Sequence, residues 1–522
     1  MRKPGRLDFT PEQIEELLDR IENKCLEEKD YPVLTDLIKA IVWMNLSLQE
    51  KELTIRRLRS VFGIKTESAK KLLEMAQGGK DNGEQKSSSN KDKKGKHGHK
   101  PSSAFTEAKT IDVAHQSLKK GNLCPSCRQG KLFSLKPGSV IRIVGQPWLQ
   151  VEIYRPERLR CSACGKTFTA ALPAEIAIGS RADNTAKAIV CLLKYRGGLP
   201  FYRQQQMQEM LGAPLSASEI WKMTEETADS VHPVYALLCE EAAKADLLQN
   251  DDTTAKILDV KIQDDDPRKG IFTTAILATL KEEIRIGLFF TGRKHAGENL
   301  NELLEDRPKE RGPPIQQCDA LSRNVPKDHE TQLSNCLAHA RRKFYELIET
   351  WPQEVTKIIG LFASIYINDR EAPLDPQERL VCHQKNSASI MQEMKSYCDT
   401  LIETKQVEPN SSLGKAIAYL NNHWEEFTLF LRVPGVPLTN NEGEQLIKRA
   451  VLNRKNAYFF RNETGAKIAD ILMSVIETCV YNGTNPWNYL VAAQTCERDV
   501  RRNPHLWLPW IYEKRFKELQ PL

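Results

Sequence analysis

The chain has 522 residues, 40% hydrophobic and 28% charged, with 75 Lys and Arg against 69 Asp and Glu and a formal net charge of +6. That length exceeds a single hydrophobic core and calls for several domains, and no apolar run reaches the roughly 18 residues that a membrane span needs. The charge excess alone does not identify a nucleic-acid binder, so the local distribution of charge has to answer that question. The 13 cysteines stand mostly in apolar contexts and read as small buried residues of a reducing compartment. Met1-Arg2-Lys3-Pro4 leads into charged helical sequence rather than an apolar signal core, so an intracellular protein is expected.

Residues 1–77 read as a helical or coiled-coil N-terminal module. Thr10-Pro11-Glu12 is a helix-start signal, followed by Ile14, Leu17, Leu18 and Ile21 at helical spacing. Arg56, Arg57 and Arg59 lie beside a later apolar face; the module either dimerises and touches DNA or is a packed bundle with solvated arginines. Residues 78–105 hold Lys, Ser, Gly and Asn with almost nothing to bury, which makes a basic flexible linker.

Residues 106–175 contain two C-x-x-C knuckles, Cys124/Cys127 and Cys161/Cys164. Each can offer two thiolates to one tetrahedral Zn2+, and Val140–Val144 and Leu149–Ile153 alternate between them as strands do. The pattern predicts a zinc ribbon with a structural ion, since four cysteines leave no open coordination position. Residues 176–245 predict helices at 184–193 and 202–211, and a third opened by the serines around Ser216. The region fits either a helix-turn-helix or a plain helical bundle.

Residues 246–335 alternate strand and helix signals. Strands are expected around Asp251, over 271–278 and 284–290, then a helix near 299–304 and a short strand ending at Asp319. A three-stranded meander followed by a helix and a returning strand is the order of an RNase H-like core, with the first and fourth strands side by side. Residues 336–436 read as a helical insertion, because 125 residues separate Asp319 from Glu444 (444 − 319) and no compact domain leaves such a length as bare loop. Residues 437–522 return to the core with a helix carrying Glu444 and end in a tail whose Trp507, Trp510 and Tyr512 are expected to pack on it. The expected architecture is multidomain α+β: a helical N-terminal region, a zinc ribbon, a helical DNA-binding region and an RNase H-like α/β core with a helical insertion.

Asp251, Asp319 and Glu444 are the candidate catalytic residues. Phosphodiester cleavage and transfer need charge neutralisation and in-line positioning, which two Mg2+ (or Mn2+) ions supply, and such hard cations take carboxylate oxygens. Each acid also has a plainer reading, Asp251 and Asp319 as turn residues and Glu442 or Glu444 as acids suited to a helix N-terminus. Arg341, Arg342 and Lys343 follow the second acid, and Lys448, Arg449, Arg454 and Lys455 follow the third, as a site that also holds phosphate requires.

At these motifs the chain resembles the DDE transposases of the insertion sequence 66 type. The matching stretches are Asp251-Asp252-Thr253, Gln317-Cys318-Asp319-Ala320, Cys336-Leu337-Ala338-His339-Ala340-Arg341-Arg342-Lys343-Phe344, Pro437-Leu438-Thr439-Asn440-Asn441 with Glu444, and Asn453-Arg454-Lys455-Asn456. The resemblance implies a bacterial mobile-element transposase that cuts and joins DNA at terminal inverted repeats, with Asp251, Asp319 and Glu444 as the acid triad. It also implies a cytoplasmic, nucleoid-associated protein that forms at least a dimer on DNA and works with or without accessory proteins of its element. Thr439 and Gln445 stand where that family often carries Asp and Arg, so the alternative is a catalytically silent DNA-binding derivative of such an enzyme.

Overall fold

The computed structural model of the protein describes residues 181–260 and 270–519 without a break, residue 268, most of 147–173, and scattered positions before these, among them Arg20, Asp30 and Tyr31. The chain divides into two compact units, Met1–Gly79 and Lys80–Leu522. In the first, Arg20 Nε pairs with Asp30 Oδ2 at 3.0 Å. The rest of the expected N-terminal helices, and the linker, lie outside the described residues.

The second unit begins with short ladders around the two cysteine knuckles. Leu123 and Lys131 form an antiparallel bridge on either side of the sequence positions of Cys124 and Cys127. Strands β1 (Arg158–Arg160) and β2 (Thr167–Thr169) form an antiparallel pair in which Arg160 faces Thr167, with Cys161 and Cys164 between them in sequence. Cys164 is exposed, and Cys124, Cys127 and Cys161 lie outside the described residues. Leu149–Ile153, expected as a strand, joins no ladder among the described residues: Val151 and Ile153 are exposed, and the other alternating stretch, Val140–Val144, is outside them.

Three helices follow: α1 (Asn184–Tyr195), α2 (Phe201–Met210) and α3 (Ala217–Ala242). The serine signal before α3 acts as a reciprocal cap, Glu219 N–H donating to Ser216 Oγ while Ser216 N–H donates to the Glu219 carboxylate. The inner faces of α1 and α3 are part of the main core, where Val190, Ile220, Val231 and Leu238 are fully buried.

The central sheet has five strands in the order β6-β5-β3-β7-β8. They are β3 (Leu247–Ala255), β5 (Ile271–Thr279), β6 (Arg285–Gly292), β7 (Ile315–Cys318) and β8 (Gln332–Asn335). β5 runs antiparallel to β3 and β6, whereas β7 is parallel to β3 and β8 to β7. A small parallel pair joins β4 (Ile257–Asp259) to β9 (Phe460–Asn462). Ala275 to Ala278 of β5 are fully buried, so the sheet is covered on both faces and those strands carry continuous apolar runs.

The helices after β6 are α4 (Ala296–Glu305), α5 (Leu337–Tyr345), α6 (Pro352–Glu371), α7 (Pro376–Asn386), α8 (Ala388–Glu403), α9 (Ser412–Asn422), α10 (Trp424–Phe427), α11 (Asn441–Ala457), α12 (Glu463–Tyr481), α13 (Pro486–Thr495), α14 (Glu497–Arg502) and α15 (Tyr512–Leu519). The fold is therefore mixed α+β around a mixed sheet. The tail aromatics are core rather than surface: Trp507 is fully buried and its indole N–H donates to Asp499 Oδ2 at 2.8 Å.

The free edge of β6 is closed by a helix. Thr291 N–H donates to Asp470 Oδ2 (2.7 Å), Phe289 N–H to Ser474 Oγ (2.9 Å) and Gly287 N–H to Thr478 Oγ1 (3.1 Å). Residues four apart on α12 rise about 6 Å and alternate strand residues span roughly 6.7 Å, so the two repeats stay in step over three bonds. The edge amides are paired without another strand. No helix among the described residues is long and apolar enough to cross a membrane.

Candidate active site

Successive side chains of β3 point to opposite faces of the sheet, so the neighbouring acids Asp251 and Asp252 separate. Gln249, Asp251 and Thr253 face α11. A Cβ on Gly443 of α11 would lie 3.2 Å from Gln249 Cβ, and at the far end of the helix Arg454 Nη1 donates to Thr253 Oγ1 at 2.8 Å. Glu444 sits between these contacts, in the first turn of α11. Asp319 follows the last residue of β7, and the register Gln249↔Gln317 places it level with Asp251 on the adjacent parallel strand. Burial pushes the Asp251 carboxyl up to about 7, and the nearby carboxylates of Asp319, Asp252 and Glu444 add to the rise.

A helix of the insertion adds a fourth group. His339, in the first turn of α5, has Nδ1 2.7 Å from Asp319 Oδ1 and 3.8 Å from Glu444 Oε1. Cys336, three residues earlier, completes a set whose ligand atoms all lie within 4.8 Å of one another. The Asp319 contact raises the imidazole pKa to about 10. Beyond this ion-pair contact, Asp319 Oδ1, His339 Nδ1 and Glu444 Oε1 are buried atoms without a hydrogen-bond partner among the described residues. Buried oxygens left without a hydrogen-bond partner are groups that an ion or an ordered water can satisfy. Asp319, Glu444 and His339 could hold a divalent ion with Asp251 beside them; Cys336 Sγ is occupied as acceptor of the Asn440 N–H at 3.2 Å.

Asp252 has a different environment on the opposite face. Its side chain is 3% exposed, with Oδ2 2.8 Å from His295 Nδ1 and Oδ1 3.2 Å from Arg323. His295 lies against Phe272, with ring centroids 4.0 Å apart. Asp252 is thus satisfied by protein partners and anchors the strand that presents Asp251.

Buried amides hold α11 to the sheet. Asn440 is fully buried and donates through Nδ2 to Asn250 O at 3.0 Å, and Gln316 Nε2 donates to Asn250 Oδ1 at 2.9 Å. Glu442, the other acid in the α11 first turn, pairs with Arg285 Nη1 at 2.7 Å. Glu444 is therefore the acid of that turn that joins Asp319.

The basic residues divide by role. Arg342 and Lys343 are exposed one turn beyond His339, and Lys448 is exposed one turn beyond Glu444. Arg341 lies beside the Tyr366 phenol. Arg449 turns inward to Glu477, 3.3 Å from Oε1. In Asn453-Arg454-Lys455-Asn456, three of the four residues tie α11 to its neighbours. Asn453 Oδ1 accepts from the buried Lys194 at 2.8 Å, Arg454 also donates to Thr254 O at 2.7 Å, and Asn456 Nδ2 donates to Gly198 O at 2.9 Å. Lys455 alone of the four is exposed.

The profile of the Transposase IS66 family matches residues 179–468 of this chain, a stretch that contains Asp251, Asp319, His339 and Glu444. The chain belongs to the IS66 transposase family. It is also similar to three uncharacterized proteins of Sinorhizobium fredii (strain NBRC 101917 / NGR234). It is 26% identical to y4jD over 379 residues, 68% of this chain and 71% of that one. It is 25% identical to y4hP over 60% of this chain and 59% of the relative, and 25% identical to y4qI over 62% of each.

The acids of this IS66-family chain are visible in its sequence as residue types at strand and helix ends. His339 and Cys336 lie within one of the stretches that carry the resemblance, where residue type alone assigns them no role. Their signal is an i, i+3 pair opening a helix, which puts both on one face. Asn440 likewise belongs to a matching stretch, and only the fold shows Asn250 beneath it.

Proposed function

We propose that this IS66-family protein cuts and joins DNA at the terminal inverted repeats of a bacterial insertion sequence, with Asp251, Asp319 and Glu444 as its acid triad. The observation that carries this reading is the approach of Asp319 at the end of β7 to Glu444 of α11, each with a buried oxygen that lacks a hydrogen-bond partner among the described residues, while the register of β3 and β7 sets Asp251 level with Asp319. The sheet order, a meander of three strands extended by two parallel ones, supports an RNase H-like core. The ladders around both cysteine knuckles support a ribbon in which Cys124, Cys127, Cys161 and Cys164 hold structural Zn2+.

Asp251, Asp319 and Glu444 would hold divalent cations such as Mg2+ or Mn2+, which would supply activation of an attacking oxygen and stabilisation of the leaving one. The chain's own residues position everything else. Asp251 and Asp319 are set by strand backbone, Glu444 by the amide bracket of Asn440, and His339 by the first turn of α5. Arg342, Lys343 and Lys448 border the acids where phosphates would approach, and Lys455 continues the basic surface. Arg341, Arg449 and Arg454 support the site through protein contacts. Joining two DNA ends calls for at least a dimer on DNA, with accessory proteins of the element as further partners.

The test is cleavage of DNA carrying the element's own terminal repeats, with Mg2+ and with EDTA, comparing wild type with Asp319→Ala. Metal-dependent nicking that disappears in the variant, together with strand-transfer products, is expected. Tight binding of the ends without cutting, even with the element's other proteins present, would overturn the catalytic reading in favour of a silent DNA-binding derivative and would direct attention to Thr439 and Gln445.

A further inference from the structure

Helix α11 ends in a turn that the catalytic reading does not use. Tyr458 follows its last residue with φ +68° and ψ −41°, and Phe459 N–H donates to Ala457 O at 2.9 Å. That is a γ-turn with positive φ at its centre, a strained conformation for a residue with a large side chain. It is held firmly. Tyr458 N–H donates to Arg454 O at 2.8 Å, Phe460 N–H donates to Lys256 O at 2.8 Å, and the Arg454 guanidinium grips Thr253 and Thr254. The scaffold thus pins the turn to the strand that carries Asp251, and the two rings project outward: Tyr458 is 66% exposed and Phe459 46%.

The surroundings are cationic. Lys256, Lys455, Arg461 and Lys467 are exposed, and none forms an ion pair or side-chain hydrogen bond among the described residues. Two exposed acids, Asp259 and Glu463, share the patch. Helical periodicity aligns the patch with the acid site. Lys448 and Lys455 stand 4 and 11 positions after Glu444 (448 − 444, 455 − 444), both within about 40° of its direction around the helix, and Tyr458 closes the helix 14 positions after it (458 − 444). The stripe runs from Glu444 to the aromatic turn over roughly 21 Å of helix, the length of about six base pairs of DNA.

We propose that the Tyr458–Phe459 turn is a stacking platform for an unpaired base of the DNA strand that follows this stripe, about six positions from the phosphate held at the acid site. The inference rests on the reading of the protein as a DNA-processing enzyme and adds a site to it. Exposed rings beside unpaired cations suit a single strand, because its bases offer a free π-face and its phosphates follow the positive charge. A base inside an intact duplex already has both faces stacked.

The experiment measures binding of the full-length protein to a fully paired duplex and to the same duplex with a short single-stranded gap. A fluorescent purine analogue placed in the gap is quenched when it stacks on an aromatic ring. Tyr458→Ala combined with Phe459→Ala is expected to weaken binding of the gapped DNA about tenfold and to abolish quenching, while duplex affinity stays within about twofold. Tyr458→Phe should bind like wild type. Tyr458→Gly, which releases the positive-φ strain and so does not compromise folding, should lose part of the gap preference. Equal affinities of wild type and double variant for gapped DNA, or an equal loss on both DNAs, would overturn the proposal. So would a loss of self-association without an effect on DNA, which would assign the turn to a second copy of the chain. Quenching by a protein that never cuts would leave the platform standing and refute the catalytic reading. Cutting without any gap preference would do the reverse.

Discussion

Asp251 and Asp319 stand level with each other on adjacent parallel strands, each two residues beyond the register pair Gln249↔Gln317. Backbone hydrogen bonding, not side-chain flexibility, fixes their approach. This explains how residues 68 positions apart in sequence (319 − 251) form one site, and why the repulsion between them is built in. A neutral isostere at either position keeps the shape and removes the charge. Asp251→Asn and Asp319→Asn are each expected to retain DNA-end binding and to lose cleavage by at least about a hundredfold, the scale of losing one group that stabilises the transition state. A nicking assay alongside a gel-shift assay separates the two effects, and cleavage within severalfold of wild type in either variant would remove that acid from the triad.

His339 is the neighbour that the two carboxylates of Asp319 and Glu444 share, 2.7 Å and 3.8 Å away. A ligand that binds only the folded state stabilises it by RT ln(1 + [L]/Kd), so the melting temperature starts to climb near Kd and then rises with the logarithm of concentration. Titration of the wild-type protein with Mn2+ is expected to raise the melting temperature, and His339→Ala should shift the onset of that rise to higher Mn2+ concentration. A variant that responds to Mn2+ as wild type does would exclude the imidazole from the ion's surroundings.

The pattern of the site was legible where it depended on local periodicity and dark where it depended on assembly. Strands 271–279 and 285–292 announce themselves by continuous apolar residues, and the helix of Glu444 by its start signal. β8 does not, because Gln332-Leu333-Ser334-Asn335 is short and mostly polar and becomes a strand only through β7. A boundary at residue 336 sets His339 apart from Asp319, which it contacts, since a helix that packs among helices at one end and meets the sheet at the other looks wholly helical in sequence. Arg449, Arg454 and Lys455 share one sequence signal for a phosphate ligand, namely charge after an acid. Only the neighbours Glu477, Thr253 and Thr254 distinguish them.

Gly443 packs α11 tightly against the sheet. A Cβ there would fall 2.6 Å from Asn440 Oδ1 and 3.2 Å from Gln249 Cβ. Asn440 is fully buried and bonded to Asn250 O, so it has no room to yield. Gly443→Ala is expected to cost about 1–3 kcal/mol of stability, the usual range for overpacking, and to displace Glu444 in the next position. The denaturant midpoint should fall and cleavage should fall further than folding alone explains. An unchanged midpoint with full activity would mean that the bracket is loose.

Asp470 gives the fold a pH dependence of definite sign. It is 5% exposed, accepts from Thr291 N and Oγ1, and burial pushes its carboxyl from 3.8 up to about 7. Below about pH 4 the group is protonated in both folded and unfolded chains and contributes nothing to the slope. Between about pH 4 and 7 the native state keeps a proton that the unfolded chain has released, so stability declines as pH rises, by at most about 1.4 kcal/mol per pH unit, and the penalty is complete above 7. Asp470→Asn removes the charge while its amide oxygen still accepts the Thr291 N–H that closes the β6 edge. The difference between variant and wild-type unfolding free energy should therefore grow in favour of the variant from pH 5 to pH 8, measured by urea denaturation at each. A difference that stays constant over that range would show that the carboxylate is charged in the folded protein throughout, and that the Thr291 contacts offset its burial.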